Sequence, residues 1–289
     1  MKKVLITGAD SYIGTSFERY IKNYADIETA TADMRGDGWK TMDFSPFDAV
    51  FHVAGIAHSD SGKISEEKKN LYYAVNTDLA VAAAKKAKAE GVKQFIYMSS
   101  SIVYGASAPV GKEKIITETT PPNPENCYGD SKLQAEKGLM PLSCDRFKIV
   151  ILRPPVIYGK GSKGNYPMLA KFAKKLPFFP NIENRRSMLY IENFCEFVRL
   201  MVINEESGVF FPQNAEYFST TELVRLVARA HGKNIRITKF FNPLVRFIGL
   251  FTKKVNKAFG NFCYEQSLSE YKQEYRLVGK EESVERTER

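Results

Sequence analysis

The chain has 289 residues, a formal net charge of +9 and a hydrophobic content of 44%. This length suits one large domain, or a main domain with a smaller lobe, and the composition is ordinary for a soluble globular protein. No apolar run approaches the roughly 18 residues that cross a bilayer, and no signal peptide is recognisable, so we expect a cytoplasmic protein. The cysteines lack metal-site spacing, so we predict no metal and expect free thiols at Cys127, Cys144, Cys195 and Cys263.

The first predicted elements are a buried strand near 3–7 and a helix near 12–23, joined by a glycine turn. Such a turn aims backbone amides and the start of a helix at the pyrophosphate of a dinucleotide. Ser11 takes the place of the middle glycine in the usual fingerprint. The cofactor-binding residues predicted in this segment are Gly8, Ser11, Tyr12, Ile13 and Gly14.

The second strand, predicted near 27–31, is followed by three charged residues that bear on the choice of cofactor. Asp33 lies about 20 residues beyond the glycine turn, where an acidic residue binds the adenosine ribose hydroxyls, and this favours NAD. Arg35 can instead meet a 2′-phosphate, so NADP stays open as the alternative. Asp43 is predicted either to approach the adenine amine or to be a turn acid before Ser45.

Two further strands, predicted near 48–54 and 94–99, end in residues that suit a ligand site. The carboxyl ends of strands are where a doubly wound sheet binds its ligand. The third strand runs into backbone predicted to face the cofactor, at Val53, Ala54 and Gly55. The fourth runs into three hydroxyls, those of Ser99, Ser100 and Ser101.

A tyrosine and a lysine occur four residues apart at the start of a helix predicted near 128–142. Tyr128 and Lys132 lie one turn apart on one helical face. There an ammonium can lower the pKa of a phenol from roughly 10, so that it transfers a proton near pH 7. This spacing also occurs by chance on surface helices. The glycine turn and the serine cluster make the pair a candidate catalytic site.

The remaining pattern continues the alternation of strands and helices, which predicts an α/β fold with a doubly wound, Rossmann-like parallel sheet covered on both faces. Later strands are predicted near 148–153 and 208–212, and later helices near 70–90, 166–175, 192–203 and 220–231. We assign an NAD(P)-binding domain to 1–159 and 190–214, and a small substrate-binding lobe to 160–189 and 215–289.

In this order, the segments resemble the extended short-chain dehydrogenase/reductases of the nucleotide-sugar epimerase/dehydratase family. Residues 152–159, Leu-Arg-Pro-Pro-Val-Ile-Tyr-Gly, resemble the passage from a strand to the substrate loop. Residues 186–193 resemble the family's arginine-containing segment, and 210–214 its late strand. The resemblance covers residue 1 to about residue 230 and is weak beyond.

The resemblance implies the roles of the catalytic residues. Tyr128 takes the proton from a sugar hydroxyl while hydride leaves the same carbon for the nicotinamide. Lys132 hydrogen-bonds the nicotinamide ribose and lowers the pKa of Tyr128, and Ser100 hydrogen-bonds the reacting oxygen. Asn76, Ser99 and Pro155 are further cofactor-binding residues on this basis.

The resemblance also implies a nucleotide-sugar substrate and a homodimer. Arg186 is expected to bind the diphosphate, because a planar guanidinium matches phosphate oxygens, and Arg185 is the alternative. Asn165 is expected to face the nucleotide and Ser101 to contact the substrate. The same pocket is framed by Lys160, Lys163 and the loop 161–164.

Dehydratases of the family carry Asp-Glu directly after the position of Ser100, and here Ser101 and Ile102 stand there. Neither side chain can supply the acid and base for expelling water, so we argue against dehydration. We favour a 4-epimerase acting on a UDP-hexose or UDP-N-acetylhexosamine by transient oxidation at C4. An NAD(P)H-dependent reductase of 4-keto sugars and a non-catalytic NAD(P)-binding regulator are the alternatives.

The stretch 233–262 is strongly basic, with seven Lys or Arg residues, several phenylalanines and no Asp or Glu. One interpretation is a lobe whose aromatics pack on the core while its lysines stay solvated. Another is an amphipathic surface that contacts an anionic membrane. Charge alone would also suit nucleic acid, but no recognition module supports this, and we predict none.

Overall fold

The computed structural model describes residues 1–56 and 64–289, except the side chains of residues 253 and 254. The chain forms two compact units. Unit 1 comprises Met1–Gly105, Pro122–Pro154 and Phe194–Pro212, and unit 2 comprises Ala106–Pro121, Pro155–Asn193 and Gln213–Arg289. The boundaries expected from the sequence at 159 and 190 both fall inside unit 2, which also contains 106–121.

The bounds of the described elements agree closely with those expected for the longer strands and helices. The strands are Lys2–Thr7 (β1), Ile27–Ala32 (β2), Ala49–His52 (β3), Gln94–Met98 (β4), Ile115–Ile116 (β5), Lys148–Leu152 (β6), Val156–Tyr158 (β7), Phe178–Pro180 (β8), Met188–Tyr190 (β9), Gly208–Phe210 (β10), Arg236–Thr238 (β11) and Cys263–Tyr264 (β12). The helices are Tyr12–Ile21 (α1), Gly38–Thr41 (α2), Glu66–Tyr73 (α3), Leu79–Ala89 (α4), Cys127–Leu139 (α5), Asn165–Lys175 (α6), Ile191–Ile203 (α7), Thr220–Ala230 (α8), Asn242–Phe251 (α9), Lys253–Phe259 (α10) and Lys280–Glu288 (α11).

Unit 1 contains a six-stranded sheet in the order β10-β6-β4-β3-β1-β2. Every neighbouring pair is parallel, which confirms the predicted fold. Its strands read as continuous apolar runs because both faces are buried: Val4, Leu5 and Ile6 are fully inaccessible. Since β1 lies between β2 and β3, the strand order reverses there, and the carboxyl ends of β1 and β3 flank the crevice where such sheets bind ligands.

The helix predicted as one element near 70–90 is divided. A π-helical turn, Ala74–Asp78, separates α3 from α4. The amide of Asn76, fully buried in this turn, accepts a hydrogen bond from the Ile56 nitrogen at 2.8 Å and donates to Ser131 Oγ at 3.0 Å. The irregular turn thus directs one side chain to both the loop after β3 and helix α5, as π-turns at functional sites often do.

Unit 2 contains three short parallel pairs, β7 with β9, β8 with β11 and β5 with β12. Helix α8 packs on α6 and on α11. Tyr158 is fully buried, and its hydroxyl lies 2.6 Å from Ser283 Oγ and 3.0 Å from the Asn214 amide. None of the helices in the described parts of the chain is both long enough and apolar enough to cross a bilayer.

Candidate active site

The glycine turn after β1 lies against the turn after β3. Gly8 has a φ of 107°, and a Cβ atom there would lie 2.8 Å from the Ala54 nitrogen. Any larger residue would therefore push the two turns apart as well as strain the backbone. Val53 joins the same arrangement, because its nitrogen donates to the Thr7 oxygen at 3.0 Å.

Helix α1 begins at this turn, and Ser11 caps it. The Ser11 hydroxyl accepts a hydrogen bond from the Gly14 nitrogen at 3.0 Å, and a Cβ at position 14 would lie 2.7 Å from that oxygen. The amides of Tyr12 and Ile13 open the helix and have no acceptor within it. With Gly8, they form a backbone cradle that fits a dinucleotide pyrophosphate.

The two residues predicted to bear on the choice between NAD and NADP contact each other. The Arg35 guanidinium donates to both carboxylate oxygens of Asp33, with Nη2 at 2.7 Å from Oδ2. Hydrogen bonds from Arg35 lower the pKa of Asp33 to about 2. Asp43 accepts a hydrogen bond from the Ser45 nitrogen at 2.9 Å, which is the geometry of a turn acid.

The catalytic candidates Ser100 and Tyr128 meet within unit 1. Helix α5 begins just before Tyr128 because the Asn126 side chain caps it, accepting from the Gly129 nitrogen at 2.8 Å. Ser100 follows β4 and hydrogen-bonds Tyr128. Burial raises the pKa of Tyr128, while the hydrogen bond from Ser100 lowers it, and the net change is upward.

Lys132 is buried one turn further along α5. Its ammonium donates to the Met98 oxygen at 2.8 Å, lies 4.8 Å from the centre of the Tyr97 ring, and would be 3.2 Å from a Cβ at Gly55. Burial lowers the pKa of Lys132 to about 8. The ammonium of Lys132 is thus directed at the end of β4, and the pKa of Tyr128 is set by burial and by the hydrogen bond from Ser100.

An ion pair behind these residues was not anticipated. Glu136, one turn after Lys132 on α5, pairs with Arg153, which follows β6. The Glu136 carboxylate also accepts a hydrogen bond from Ser99, so this hydroxyl is engaged with protein. The sequence signal is the spacing of four residues from Lys132, which puts Glu136 on the catalytic face of the helix.

Ser101 and Pro155 are two further residues that the sequence predicted at the site. The Ser101 nitrogen donates to the Pro154 oxygen at 2.9 Å, and Ser101 opens a short 3-10 turn that ends at Tyr104. Pro155 is buried in unit 2.

A pocket within unit 2 brings together Arg186 and Asn165, two predicted substrate-binding residues, with Lys257. The backbone nitrogen of Arg186 donates to the Phe218 oxygen, and the Phe218 nitrogen donates to the Arg186 oxygen. The Arg186 guanidinium donates to the Gly260 oxygen at 2.9 Å. Within the described part of the chain, no carboxylate pairs with Arg186. Burial lowers its pKa to about 10, so an anionic ligand would relieve the cost of the buried charge.

The other basic residues expected at this pocket lie elsewhere. Arg185 is exposed and lies 3.5 Å from Glu113. Lys160 donates to the oxygen of Arg289 at 3.2 Å, and Lys163 is exposed; neither is among the residues that line the pocket. Lys257, which the sequence did not single out for this role, lines the pocket instead.

Comparisons with known proteins show the family and the fold of this chain. A sequence model of the NAD dependent epimerase/dehydratase family matches residues 4–210. The UDP-glucose 4-epimerase of Vibrio cholerae is 33% identical over 254 residues, covering 80% of this chain and 76% of that protein. The N-acetyl-alpha-D-glucosaminyl-diphospho-ditrans,octacis-undecaprenol 4-epimerase of Escherichia coli O157:H7 is 31% identical over 227 residues, 71% of this chain and 64% of that protein. The structure of the Thermus thermophilus UDP-glucose 4-epimerase with NAD shares the fold, with a TM-score of 0.71 and 21% identity over 99% of this chain and 97% of that one.

Proposed function

The chain belongs to the NAD dependent epimerase/dehydratase family, and we propose that it is an NAD-dependent 4-epimerase of a UDP-linked hexose or N-acetylhexosamine. The observation that carries the proposal is the hydrogen bond between Ser100 and Tyr128, one helical turn from the buried Lys132. The identity of 33% with the Vibrio cholerae UDP-glucose 4-epimerase, over 80% of the chain, supports a UDP-hexose as substrate.

The residues after β1 and β3 suit NAD. The amides at the start of α1 and the close contact of Gly8 with Ala54 provide the cradle for its pyrophosphate. Asp33 suits the adenosine ribose, and its pairing with Arg35 lowers its pKa further below the ordinary value. When bound, NAD supplies an acceptor for the hydride from C4 and returns that hydride to the sugar.

Tyr128 handles the proton in this proposal. It accepts the proton of the C4 hydroxyl as the hydride leaves C4, and gives the proton back when the hydride returns to the other face of the 4-keto sugar. Ser100 hydrogen-bonds the C4 oxygen of the sugar. Its hydrogen bond with Tyr128 also favours the ionised form of that side chain, which opposes the effect of burial. Lys132 adds a buried positive charge that suits a ribose hydroxyl.

Arg186 is proposed to bind the substrate diphosphate. Its guanidinium lines a pocket with Lys257 and with the first residues of α6, a helix that has no acidic residue in its first turn. An arginine, a lysine and a helix start all favour phosphate oxygens. Asn165 begins that helix and is proposed to contact the nucleotide.

Two alternatives use all or part of the same site. A 4-keto-sugar reductase would use the same groups once, with NAD(P)H delivering hydride and leaving. A non-catalytic regulator would use only the dinucleotide cradle. Dehydration is disfavoured because the positions after Ser100 are Ser101 and Ile102, which supply neither a second acid nor a base.

A second candidate substrate is a polyprenyl-diphosphate-linked N-acetylhexosamine. The related Escherichia coli protein is named for such a substrate, and it is 31% identical over 71% of this chain. The observation in this chain that favours it is helix α9, whose apolar side chains are exposed. Both candidate substrates carry the diphosphate that Arg186 suits.

The test is incubation with UDP-glucose, UDP-N-acetylglucosamine, a UDP-4-keto-6-deoxy sugar and undecaprenyl-diphosphate N-acetylglucosamine, each with and without added NADPH. Formation of C4 epimers of a UDP-sugar without added cofactor supports the first proposal. Epimers of the lipid-linked sugar alone would favour the second candidate. NADPH consumption with only the keto sugar would replace the epimerase with a reductase, and inertness toward all four would favour the regulator.

A further inference from the structure

Helix α9 of unit 2 exposes the apolar side chains that an amphipathic helix normally buries. Leu244, Phe247, Ile248 and Phe251 recur at the spacing of one helical face. They are 55%, 60%, 38% and 75% exposed. The rings of Phe247 and Phe251 contact each other, with centroids 5.2 Å apart. The face is therefore an organised apolar surface and not a set of scattered residues.

The opposite side of the same helix is the packed side. Gly249 is buried, and a Cβ there would lie 3.1 Å from Asn256 Oδ1 and 3.3 Å from a methyl group of Val110. Asn242, at the start of the helix, donates to the Asn181 oxygen at 2.7 Å. Because small and polar residues hold the helix in place, its apolar face is left to the outside.

The surface extends on both sides of this face. Phe240, directly before the helix, is 82% exposed, and Leu250 is 75% exposed. Strand β11 leads into the helix, and its partner strand β8 begins with Phe178, 46% exposed, in register with Arg236. Exposed apolar groups that adjoin in this way mark a contact surface more often than isolated ones do.

Exposed cationic side chains lie next to the apolar face along the chain. Lys239 precedes Phe240, and Lys233 and Arg236 lie just before and within β11. The sequence 233–262 contains no Asp or Glu, so nothing within it offsets these charges. The surface therefore offers an apolar centre with positive charge beside it.

We propose that helix α9, with Phe240 and the basic residues beside it, docks on the surface of an anionic lipid bilayer. Apolar side chains enter the boundary between headgroups and acyl chains, while Lys and Arg contact anionic headgroups. A second copy of the chain is a poorer occupant, since it would bring two carboxylate-free basic surfaces together. The proposal goes beyond the catalytic assignment and holds for a water-soluble or a lipid-linked substrate.

The test is co-sedimentation of the full chain with vesicles of phosphatidylcholine mixed with phosphatidylglycerol, and with vesicles of phosphatidylcholine alone. We expect binding to the mixed vesicles and its loss at high salt, because the attraction of exposed charges is screened. Leu244→Ser should weaken the partition coefficient by about tenfold, the value of burying one leucine side chain. Leu277→Ser is the matched control, because Leu277 is also 55% exposed but lies outside this surface.

A charge series separates the two contributions. Arg236→Gln and Lys239→Gln should each weaken binding to the mixed vesicles by about fivefold, and Lys272→Gln, at another exposed lysine, should leave it unchanged. Epimerase activity on a water-soluble sugar should be the same in all these variants. The proposal is overturned if the wild-type chain stays in the supernatant, if Leu277→Ser weakens binding as much as Leu244→Ser, or if Leu244→Ser instead converts a dimer into a monomer.

Discussion

Arg153 and Glu136 form a buried ion pair in which Arg153 Nε lies 3.1 Å and 3.2 Å from the two carboxylate oxygens. Their side chains are only 12% and 5% exposed. The same guanidinium donates to the Tyr104 hydroxyl at 2.6 Å, and the carboxylate accepts from Ser99. The pair thus connects helix α5, which carries the proposed catalytic residues Tyr128 and Lys132, to the residues that follow β4 and β6.

Replacing one partner should therefore be costly. Glu136→Gln leaves the Arg153 charge buried without its carboxylate, and we expect the free energy of unfolding to fall by about 3–5 kcal/mol. Urea unfolding, monitored by circular dichroism, measures this free energy. The double variant Glu136→Leu, Arg153→Met should lose less of the free energy of unfolding than either single variant, because no charge stays buried. A single variant as stable as the wild type would show that the pair does not form.

Tyr128→Phe should abolish turnover and leave dinucleotide binding intact. The hydroxyl is the group that carries the proton, and acid/base catalysis of this kind is typically worth about 10²–10⁴-fold. Tyr73→Phe is the matched control, since its hydroxyl contacts Asp130 at 2.6 Å and has no assigned part in the reaction. Retention of more than about a tenth of the rate by Tyr128→Phe would sink the catalytic assignment.

Ser100→Ala should move the pH profile of the reaction to higher pH. The proton-accepting form of Tyr128 is ionised, so the rate rises as pH passes through its pKa. The hydrogen bond from Ser100 lowers that pKa, and its removal raises it. The measurement is the rate at saturating substrate against pH. Ser101→Ala should leave the profile in place, and an equal shift in both variants would contradict the assignment.

Gly8→Ala should weaken binding of the dinucleotide and also lower the free energy of unfolding. Its φ of 107° strains an alanine, and the new Cβ would meet the Ala54 nitrogen at 2.8 Å. Gly91→Ala is the control, because Gly91 also has a positive φ, 83°, but open space around it. Both variants should lose about 1–2 kcal/mol from backbone strain, and only Gly8→Ala should lose NADH affinity in a fluorescence titration. Normal NADH binding by Gly8→Ala would show that this turn is not the cradle.

Arg186→Ala should raise the Michaelis constant for a UDP-sugar by about tenfold to a hundredfold, the value of one or two hydrogen bonds to a charged group. Arg186→Lys should recover only part of this, because an ammonium lacks the planar fork. Arg185→Ala is the neighbouring control, since that side chain is 64% exposed and pairs with Glu113. An unchanged constant in Arg186→Ala, or a larger effect in Arg185→Ala, would reassign the diphosphate site.

The sequence by itself determined the elements of the sheet and singled out the pair proposed to be catalytic. Apolar runs bounded by turns are local signals, and they predicted the ends of β1 to β4 and β6 to within two residues. The spacing of Tyr128 and Lys132 is also local, because four residues always make one turn of a helix. The short strands of unit 2 escaped prediction, since two or three residues carry no recognisable alternation.

Only the tertiary structure decided which groups these residues meet. The partner of the Lys132 ammonium is the oxygen of Met98 at the end of β4, and the partner of Glu136 is Arg153, directly after β6. Arg186 differs from Arg185 because the chain around it buries one guanidinium and exposes the other. In the same way, the sequence of α9 reveals an amphipathic helix, but only its packing through Gly249 leaves the apolar face outward. Periodicity fixes what each segment is, whereas the partner, burial and direction of a side chain depend on segments that no local pattern connects.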